Sequence, residues 1–239
     1  MYLIILALLT LMYHFIRQEH HKVHPFGYSF LIEKENFEQT QTCMDMSKHL
    51  LEHPSMVEGQ GFSIYFDEAR DLETKFTGHD LKCIYDIFEK IREPKTNSYV
   101  CNVMVVPPCN DNSDKEISVG GHYDGTLEET DYFGKYYMPL CTSVVYLQTP
   151  ETFKDGELFL KKYNCEKMYA QVKPKVGKYV RFRGDMYHGV HKMYSEESTH
   201  RLSVVFEQYI LPKTKNTFVV QDIFTESEYD ETTGEMNYR

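Results

Sequence analysis

Apolar positions recur at near-helical spacing in two early stretches of the chain; from Ser98 onward they come in short runs separated by turn residues. Phe37, Cys43, Met46, Leu50 and Leu51 share one side of a helix predicted over Asn36–His53, which Pro54 stops. Leu81, Ile84, Tyr85, Phe88 and Ile91 give a second amphipathic helix ending before Pro94. Residues 24 to 35 read as a connector and a short strand. Gly59-Gln60-Gly61 and then Phe62–Phe66 read as a turn and a strand. The later runs predict strands at Tyr99–Val106, Gly120–Asp124, Ser143–Gln148, Glu157–Lys161, Tyr169–Val172, Lys178–Phe182 and Leu202–Tyr209. Pro107-Pro108, Asp155-Gly156 and Val176-Gly177 mark turns between them. That succession suits a closed or double-sheet β-fold, with the helices supporting one sheet face. No internal repeat interrupts it.

The two ends differ from this middle. Tyr2–Ile16 is an uncharged, largely aliphatic run followed by Arg17 and the cluster His20, His21, Lys22. At a rise of about 1.5 Å per residue it is short for a hydrocarbon core of about 30 Å. An anchor or uncleaved signal-anchor, a signal peptide and a buried N-terminal helix all remain open, with the anchor favoured. Basic residues on its C-terminal side favour a membrane-associated chain with a cytosolic catalytic domain. The expected organisation is therefore a hydrophobic N-terminal segment at 1–22, a helical support region at 23–97, a β-core at 98–211 and an acidic tail at 212–239. Glu226, Glu228, Asp230, Glu231 and Glu235 make that tail polar enough to stay partly mobile. Gly125–Tyr137 reads as a solvated loop or a lid.

Composition narrows the function. Hydrophobic residues make up 41% of the 239 positions and aromatics 14%, enough for a sizeable core. The formal net charge of −10 and the lack of a dense Lys/Arg run disfavour nucleic acid as a partner. The six cysteines, Cys43, Cys83, Cys101, Cys109, Cys141 and Cys165, include no Cys-x-x-Cys pair. Buried free thiols are the plain reading, with a Cys101–Cys109 bridge as the alternative. The chain contains no Asn-x-Ser/Thr acceptor, which counts against a glycosylated, lumenal setting.

The candidate chemistry lies in Gly121-His122-Tyr123-Asp124 and, 64 residues after Asp124, His188-Gly189-Val190. Two histidines and one carboxylate can occupy one face of an octahedral Fe(II) and leave the other face open. On a strand, His122 and Asp124 leave the same face, with Tyr123 pointing to the other. The third ligand has to come from a distant strand, and His188 is expected at the end of one, Tyr179–Asp185. Downstream, Arg201-Leu202-Ser203 opens an apolar strand with a cation.

Taken in order, His122-Tyr123-Asp124, the strand Thr142–Leu147, the Gly156-Glu157 turn, His188-Gly189-Val190 and Arg201-x-Ser203 resemble the Fe(II)/2-oxoglutarate-dependent dioxygenases, and their prolyl 4-hydroxylase-like branch in particular. The resemblance covers about residues 99–210. It implies an α+β fold with a double-stranded β-helix (jelly-roll) core and supporting N-terminal helices. It implies Fe(II) held by His122, Asp124 and His188, and 2-oxoglutarate held by Arg201, Ser203 and Tyr146, with O2 as oxidant and ascorbate as a supporting reductant. The activity implied is hydroxylation of a peptidyl residue, with proline favoured, coupled to decarboxylation of 2-oxoglutarate to succinate and CO2. Two features depart from the branch: an arginine stands where a lysine is usual, and 13 residues rather than about ten separate His188 from Arg201. His191 thereby competes for the third ligand position, and His188 is preferred. The surplus falls in Tyr194–Thr199, read as a lengthened hairpin loop. A dioxygenase of the same fold acting on a small molecule or nucleobase, and a non-catalytic metal-binding barrel, are the alternatives.

Overall fold

The computed structural model describes residues 31–34, 62–66, 82–109, 117–124, 127–129, 135–161, 168–211, 218–220, 229–230 and 235–236. All belong to one unit, Leu31–Arg239. The helix expected over Asn36–His53 and the run Tyr2–Ile16 lie outside the described residues.

Two antiparallel sheets carry the structure. The larger has six strands: β1 (Leu31–Lys34), β2 (Phe62–Phe66), β3 (Ser98–Val106), β7 (Cys141–Gln148), β11 (Tyr179–Arg183) and β14 (Arg201–Tyr209), in the spatial order β1-β11-β7-β14-β3-β2. The smaller contains β4 (Ile117–His122), β9 (Leu158–Lys161), β10 (Met168–Val172) and β12 (Tyr187–His191), in the order β10-β9-β12-β4. The chain passes repeatedly from one sheet to the other: β7 to β9, β10 to β11, β11 to β12, β12 to β14. That alternation is the winding of a double-stranded β-helix, as expected. Short strands β8 (Lys154–Asp155) and β13 (Met193–Tyr194) pair beside it. In the stretch expected as a loop, β5 (Leu127–Glu129) pairs with β6 (Lys135–Tyr137). On its other edge β5 pairs with β15 (Phe218–Val220), in the segment expected as a tail. β16 (Tyr229–Asp230) and β17 (Glu235–Met236) form a separate pair.

Strand alternation sorts the core into two layers. On the outer face of the larger sheet, Leu202, Val204 and Phe206 of β14, Cys101, Val103 and Val105 of β3, and Val145 and Leu147 of β7 are buried under helix α1 (Lys82–Ile91). The helix contributes Ile84, Ile87, Phe88 and Ile91, the face its 3.6-residue spacing predicts. Phe88 meets Phe66 edge-on at a centroid distance of 5.3 Å and Tyr99 at 4.8 Å. The last turn of α1 is closed from the sheet below. Arg181 of β11 donates to the Ile91 carbonyl and pairs with Glu93 at 3.4 Å. Gln208 of β14 accepts from the Glu93 amide at 2.7 Å and donates to Ser143 at 3.0 Å. These bonds satisfy groups a helix end would otherwise leave unpaired. Between the sheets, Val144, Tyr146, Val180 and Phe182 meet Leu158, Leu160 and Val172.

Several expectations need correction. His188 does not end the Tyr179–Arg183 strand; it stands on a separate strand, β12, in the other sheet. The Tyr194–Thr199 surplus is not a hairpin tip, because β12 and β14 belong to different sheets and the chain needs the extra length to cross between them. Cys101 and Cys109 are both free thiols, so no bridge joins them; Cys83 is disulfide-bonded. The expected membrane association is overturned in this sense: among the described residues no helix is long and apolar enough to cross a membrane.

Phe88 is wholly buried and touches aromatic rings from three strands. Phe88→Ala should therefore cost about 3–5 kcal/mol of folding stability, read as a lower denaturant midpoint at unchanged slope. Leu202→Met at the same layer, which conserves volume, should cost less than about 1.5 kcal/mol.

Candidate metal centre

His122 is the last residue of β4, and its Cα lies directly opposite that of His188 on β12. The two rings therefore come together across one antiparallel pair, with centroids 4.5 Å apart. Asp124 lies just beyond β4, so its position is set by the chain leaving the strand and not by strict alternation. Its Oδ1 is 3.4 Å from His188 Nε2 and 3.7 Å from His122 Nε2. One ligand atom from each of the three residues lies within 4.8 Å of the others. These groups could hold a metal ion.

The tautomers are fixed from behind. His122 Nδ1 is 2.8 Å from the Gly120 carbonyl, and His188 Nδ1 is 3.0 Å from the Met186 carbonyl. A carbonyl only accepts, so each Nδ1 carries the proton and each neutral ring turns an Nε2 lone pair toward Asp124. Such support orients imidazole ligands in metal sites. The Thr142 hydroxyl of β7 donates to Asp124 Oδ2, leaving Oδ1 for the centre. Phe182 packs edge-on against the His188 ring at 4.9 Å. Gly189 lets β12 pass close to its neighbours: a Cβ there would stand 2.6 Å from the Phe159 ring and 2.8 Å from the Val119 carbonyl.

The electrostatics of the metal-free centre follow. Burial works against the charge of Asp124, but His188, the Thr142 hydroxyl and His122 outweigh it and hold the carboxyl below its usual range. Burial likewise works against a charged His188, and attraction and hydrogen bonding to Asp124 outweigh it, raising the imidazole above its usual value. Without a metal, each of the two groups favours the charged form of the other.

The centre opens into a cavity of about 530 Å³ between the sheets. Arg201, Ser203, Val205 and Glu207, the inward residues of β14, line it together with Thr142, Val144 and Tyr146 of β7 and Asn102 and Met104 of β3. Arg201 is 2% exposed and stacks against the Tyr146 ring, its guanidinium carbon 5.5 Å from the centroid. One guanidinium nitrogen donates to the Gly156 carbonyl at 3.0 Å. That carbonyl is presented by a turn in which Asp155 and Gly156 both take positive φ, 57° and 82°. Arg201 Nε and Ser203 Oγ have no hydrogen-bond partner among the described residues, and no carboxylate there faces the guanidinium. Burial lowers the guanidinium below its ordinary value, with Tyr146 opposing the change. A buried cation with unused donors fits an anionic ligand.

The sequence-predicted residues thus converge: His122, Asp124 and His188 form the cluster, while Arg201, Ser203 and Tyr146 line the same cavity. His191 does not join them. It stands opposite Ile117, packs on Phe159 at 5.0 Å and lies 3.1 Å from Gln171. Tyr123, expected on the opposite face, packs edge-on against Tyr187 at 5.2 Å and also lines the cavity, because the strand ends before it. Asn102 lines the cavity, whereas Tyr99 faces the helix. Sequence reasoning missed Thr142 and Glu207. Thr142 had no signal; Glu207 had one, its even spacing from Arg201 and Ser203.

No protein-family model matches the chain, and no curated protein sequence does. Among solved structures it is similar to a Pseudomonas putida prolyl-4-hydroxylase, with 14% identity and a TM-score of 0.45 over 76% of this chain and 93% of that one. A viral collagen prolyl hydroxylase from Paramecium Bursaria Chlorella virus-1 matches at 15% identity and a TM-score of 0.41, over 77% and 97% of the two chains. IDO from Bacillus thuringiensis matches at 8% identity and a TM-score of 0.47, over 76% and 93%.

Fe(II) titration of variants tests the cluster. His122→Ala or His188→Ala should abolish binding, and His191→Ala should leave it within about threefold of wild type, since a lost ligand costs far more than a lost neighbour. Binding should also weaken with acid. A ligating imidazole must be neutral, so below the raised value of His188 affinity should fall about tenfold per pH unit for each proton displaced. Metal retention measured by dialysis across a pH series checks it; a flat profile through that range contradicts the assignment.

Proposed function

We propose that the protein is an Fe(II)- and 2-oxoglutarate-dependent dioxygenase that hydroxylates a peptidyl residue, with proline favoured by the sequence resemblance. One arrangement carries the reading: two imidazole Nε2 atoms and one carboxylate converge at one part of a cavity between the sheets, and a buried arginine with unused donors lies in the same cavity. Each half is common; their combination matches a co-substrate that chelates a metal through a 2-oxo acid and ends in a second carboxylate.

The roles follow from position. His122, Asp124 and His188 would hold Fe(II) on one face, and the carbonyls of Gly120 and Met186 keep both rings in the ligating tautomer. Thr142 holds Asp124 to a single donating oxygen. Thr142 and Tyr146 lie four residues apart on β7, about 13 Å at the usual strand rise. The Arg201 side chain and a five-carbon dicarboxylate together fill such a span. Arg201 Nε and a terminal guanidinium nitrogen would grip the distal carboxylate as a planar fork, with the Ser203 hydroxyl adding a third bond. The apolar walls from Val144, Leu158, Phe182 and Val205 exclude water, which strengthens those bonds. When bound, iron and 2-oxoglutarate supply O2 activation coupled to decarboxylation; ascorbate would keep the iron reduced. Net charge of −10 favours a protein or peptide substrate over nucleic acid.

Succinate release from added 2-oxoglutarate, with Fe(II), ascorbate and a panel of proline-containing peptides, tests the reading. Turnover that requires all three and stops with His188→Ala is expected; succinate production independent of Fe(II) would rule it out. Arg201→Ala leaves a buried carboxylate without its partner, a loss of about 3–5 kcal/mol. Apparent 2-oxoglutarate affinity should drop from roughly a hundredfold to several thousandfold. Arg201→Lys keeps the charge without the fork and should fall between.

A further inference from the structure

Thr142 ties Asp124 to β7, so the metal centre lies against that strand, and the route from it to Arg201 runs past Tyr146 and Ser203. Asn102 lies off this route. It belongs to β3, on the far side of β14, with its Cα opposite that of Val205. Two strand spacings separate it from β7, about 10 Å across the sheet. Its side chain lines the cavity together with Met104 of β3 and Val119 of β4. The β4 side is where the centre is open: the His122 side chain is 43% exposed, against 9% for His188. Other polar residues of the cavity have partners. Thr142 bonds Asp124, Glu207 accepts from the Tyr209 hydroxyl, and Arg201 donates to the Gly156 carbonyl. The Asn102 carboxamide bonds no described residue, although it stands beside Val205 and Met104.

We infer that Asn102 is a specificity-determining residue that pairs with a secondary amide of the substrate, the peptide bond that follows the residue held at the metal. The inference rests on the dioxygenase reading and deepens it. A carboxamide offers an oxygen acceptor and two N–H donors on one planar group. Its neutral complement is another amide, whose N–H meets Oδ1 while its carbonyl accepts from Nδ2. Solvent satisfies both roles in an unliganded cavity. An entering substrate displaces that solvent and must replace both bonds, or Asn102 is left unpaired against apolar neighbours. An ammonium or a carboxylate meets one side of the carboxamide; a secondary amide meets both. The bond preceding a proline has no N–H, so the peptide bond after it is the nearest that can pair twice. The width between β7 and β3 accommodates the target residue at the centre and the next amide at Asn102. A nucleobase edge presents a similar donor and acceptor pair, and the net charge of −10 favours the peptide.

Binding without turnover tests this. The full chain is loaded with Mn(II), which takes the same ligand types as Fe(II), and then with 2-oxoglutarate, each step followed by calorimetric titration. Four probes follow: acetyl-Ala-Pro-Ala-amide, the same peptide with an ester oxygen in place of the N–H after proline, free L-proline and adenosine. The all-amide peptide should bind about tenfold tighter than the ester, which loses a donor and turns an oxygen toward Asn102 Oδ1. Free L-proline and adenosine should bind more weakly than that peptide. Asn102→Leu removes the polar group at similar volume. In it, the two peptides should bind within about twofold of each other, while Mn(II) and 2-oxoglutarate affinities stay within about threefold of wild type. Equal binding of the two peptides by wild type, or no binding of the all-amide peptide, overturns the inference. So does tighter binding of L-proline or adenosine than of that peptide, or a preference that survives in Asn102→Leu. The wild-type comparison needs no variant, so poor folding of Asn102→Leu does not protect the inference. Failure of wild type to bind Mn(II) or 2-oxoglutarate is a different result and removes the dioxygenase reading itself.

Discussion

Strand β14 is hydrogen-bonded along both edges, to β3 and to β7, and so cannot shift register without breaking two ladders. Because side chains alternate, a slip of one residue would exchange its two faces. One face carries Leu202, Val204 and Phe206 into the layer beneath α1; the other carries Arg201, Ser203, Val205 and Glu207 into the cavity. The apolar face fixes the polar one. Packing under the helix decides that Arg201 points inward, although a buried guanidinium opposes folding until an anion arrives. Conversely, the groups that could bind ligand are held by a core they do not help to stabilise.

The same division explains the polar network at the end of α1. Gln208 and Arg181 point to the outer face, where they bond the Glu93 amide and the Ile91 carbonyl. Glu207 and Gln208 are adjacent in sequence and serve opposite sides of one sheet. The centre is assembled in a comparable way from the smaller sheet, where His122 and His188 face each other across a strand pair and Thr142 reaches Asp124 from the larger sheet. The three ligand groups thus come from one strand pair and the chain leaving it, and the two sheets must close on each other before Thr142 can hold Asp124 in place. Orientation of the carboxylate therefore reports on that closure.

Much of this was legible in the sequence because strand period and turn chemistry are local. Turn residues at Asp155-Gly156 and Val176-Gly177 and alternating runs located most strands to within two residues, and the ordered motifs brought His122, Asp124, His188, Arg201 and Ser203 to attention. What was not legible depended on long-range pairing. Tyr187–His191 carries a glycine between two histidines and lacks an alternating apolar pattern, so its strand state comes from β4 and β9 on either side. Thr142 could not be told from any other strand threonine until Asp124 was placed beside it. Glu207 was hidden differently: a glutamate in an apolar strand reads as a solvated position, and here both faces of the strand are covered.

The spacing between His188 and Arg201 shows how topology resolves what counting cannot. A count of residues back from Arg201 favours His191, because it assumes a connection of fixed length. Position on β12 is what matters physically. His188 and Val190 stand opposite Leu160 and Leu158, which belong to the inner layer, whereas Gly189 stands opposite Phe159. Residues three apart on a strand leave opposite faces, so His188 and His191 cannot both reach the cavity. Once Leu158 and Leu160 are committed to the core, His188 is committed to the centre. Tyr194–Thr199 then carries the chain from one sheet to the other, held on the way by the pairing of Tyr194 with Lys154 and by Glu197, which accepts from the Glu151 and Thr152 amides.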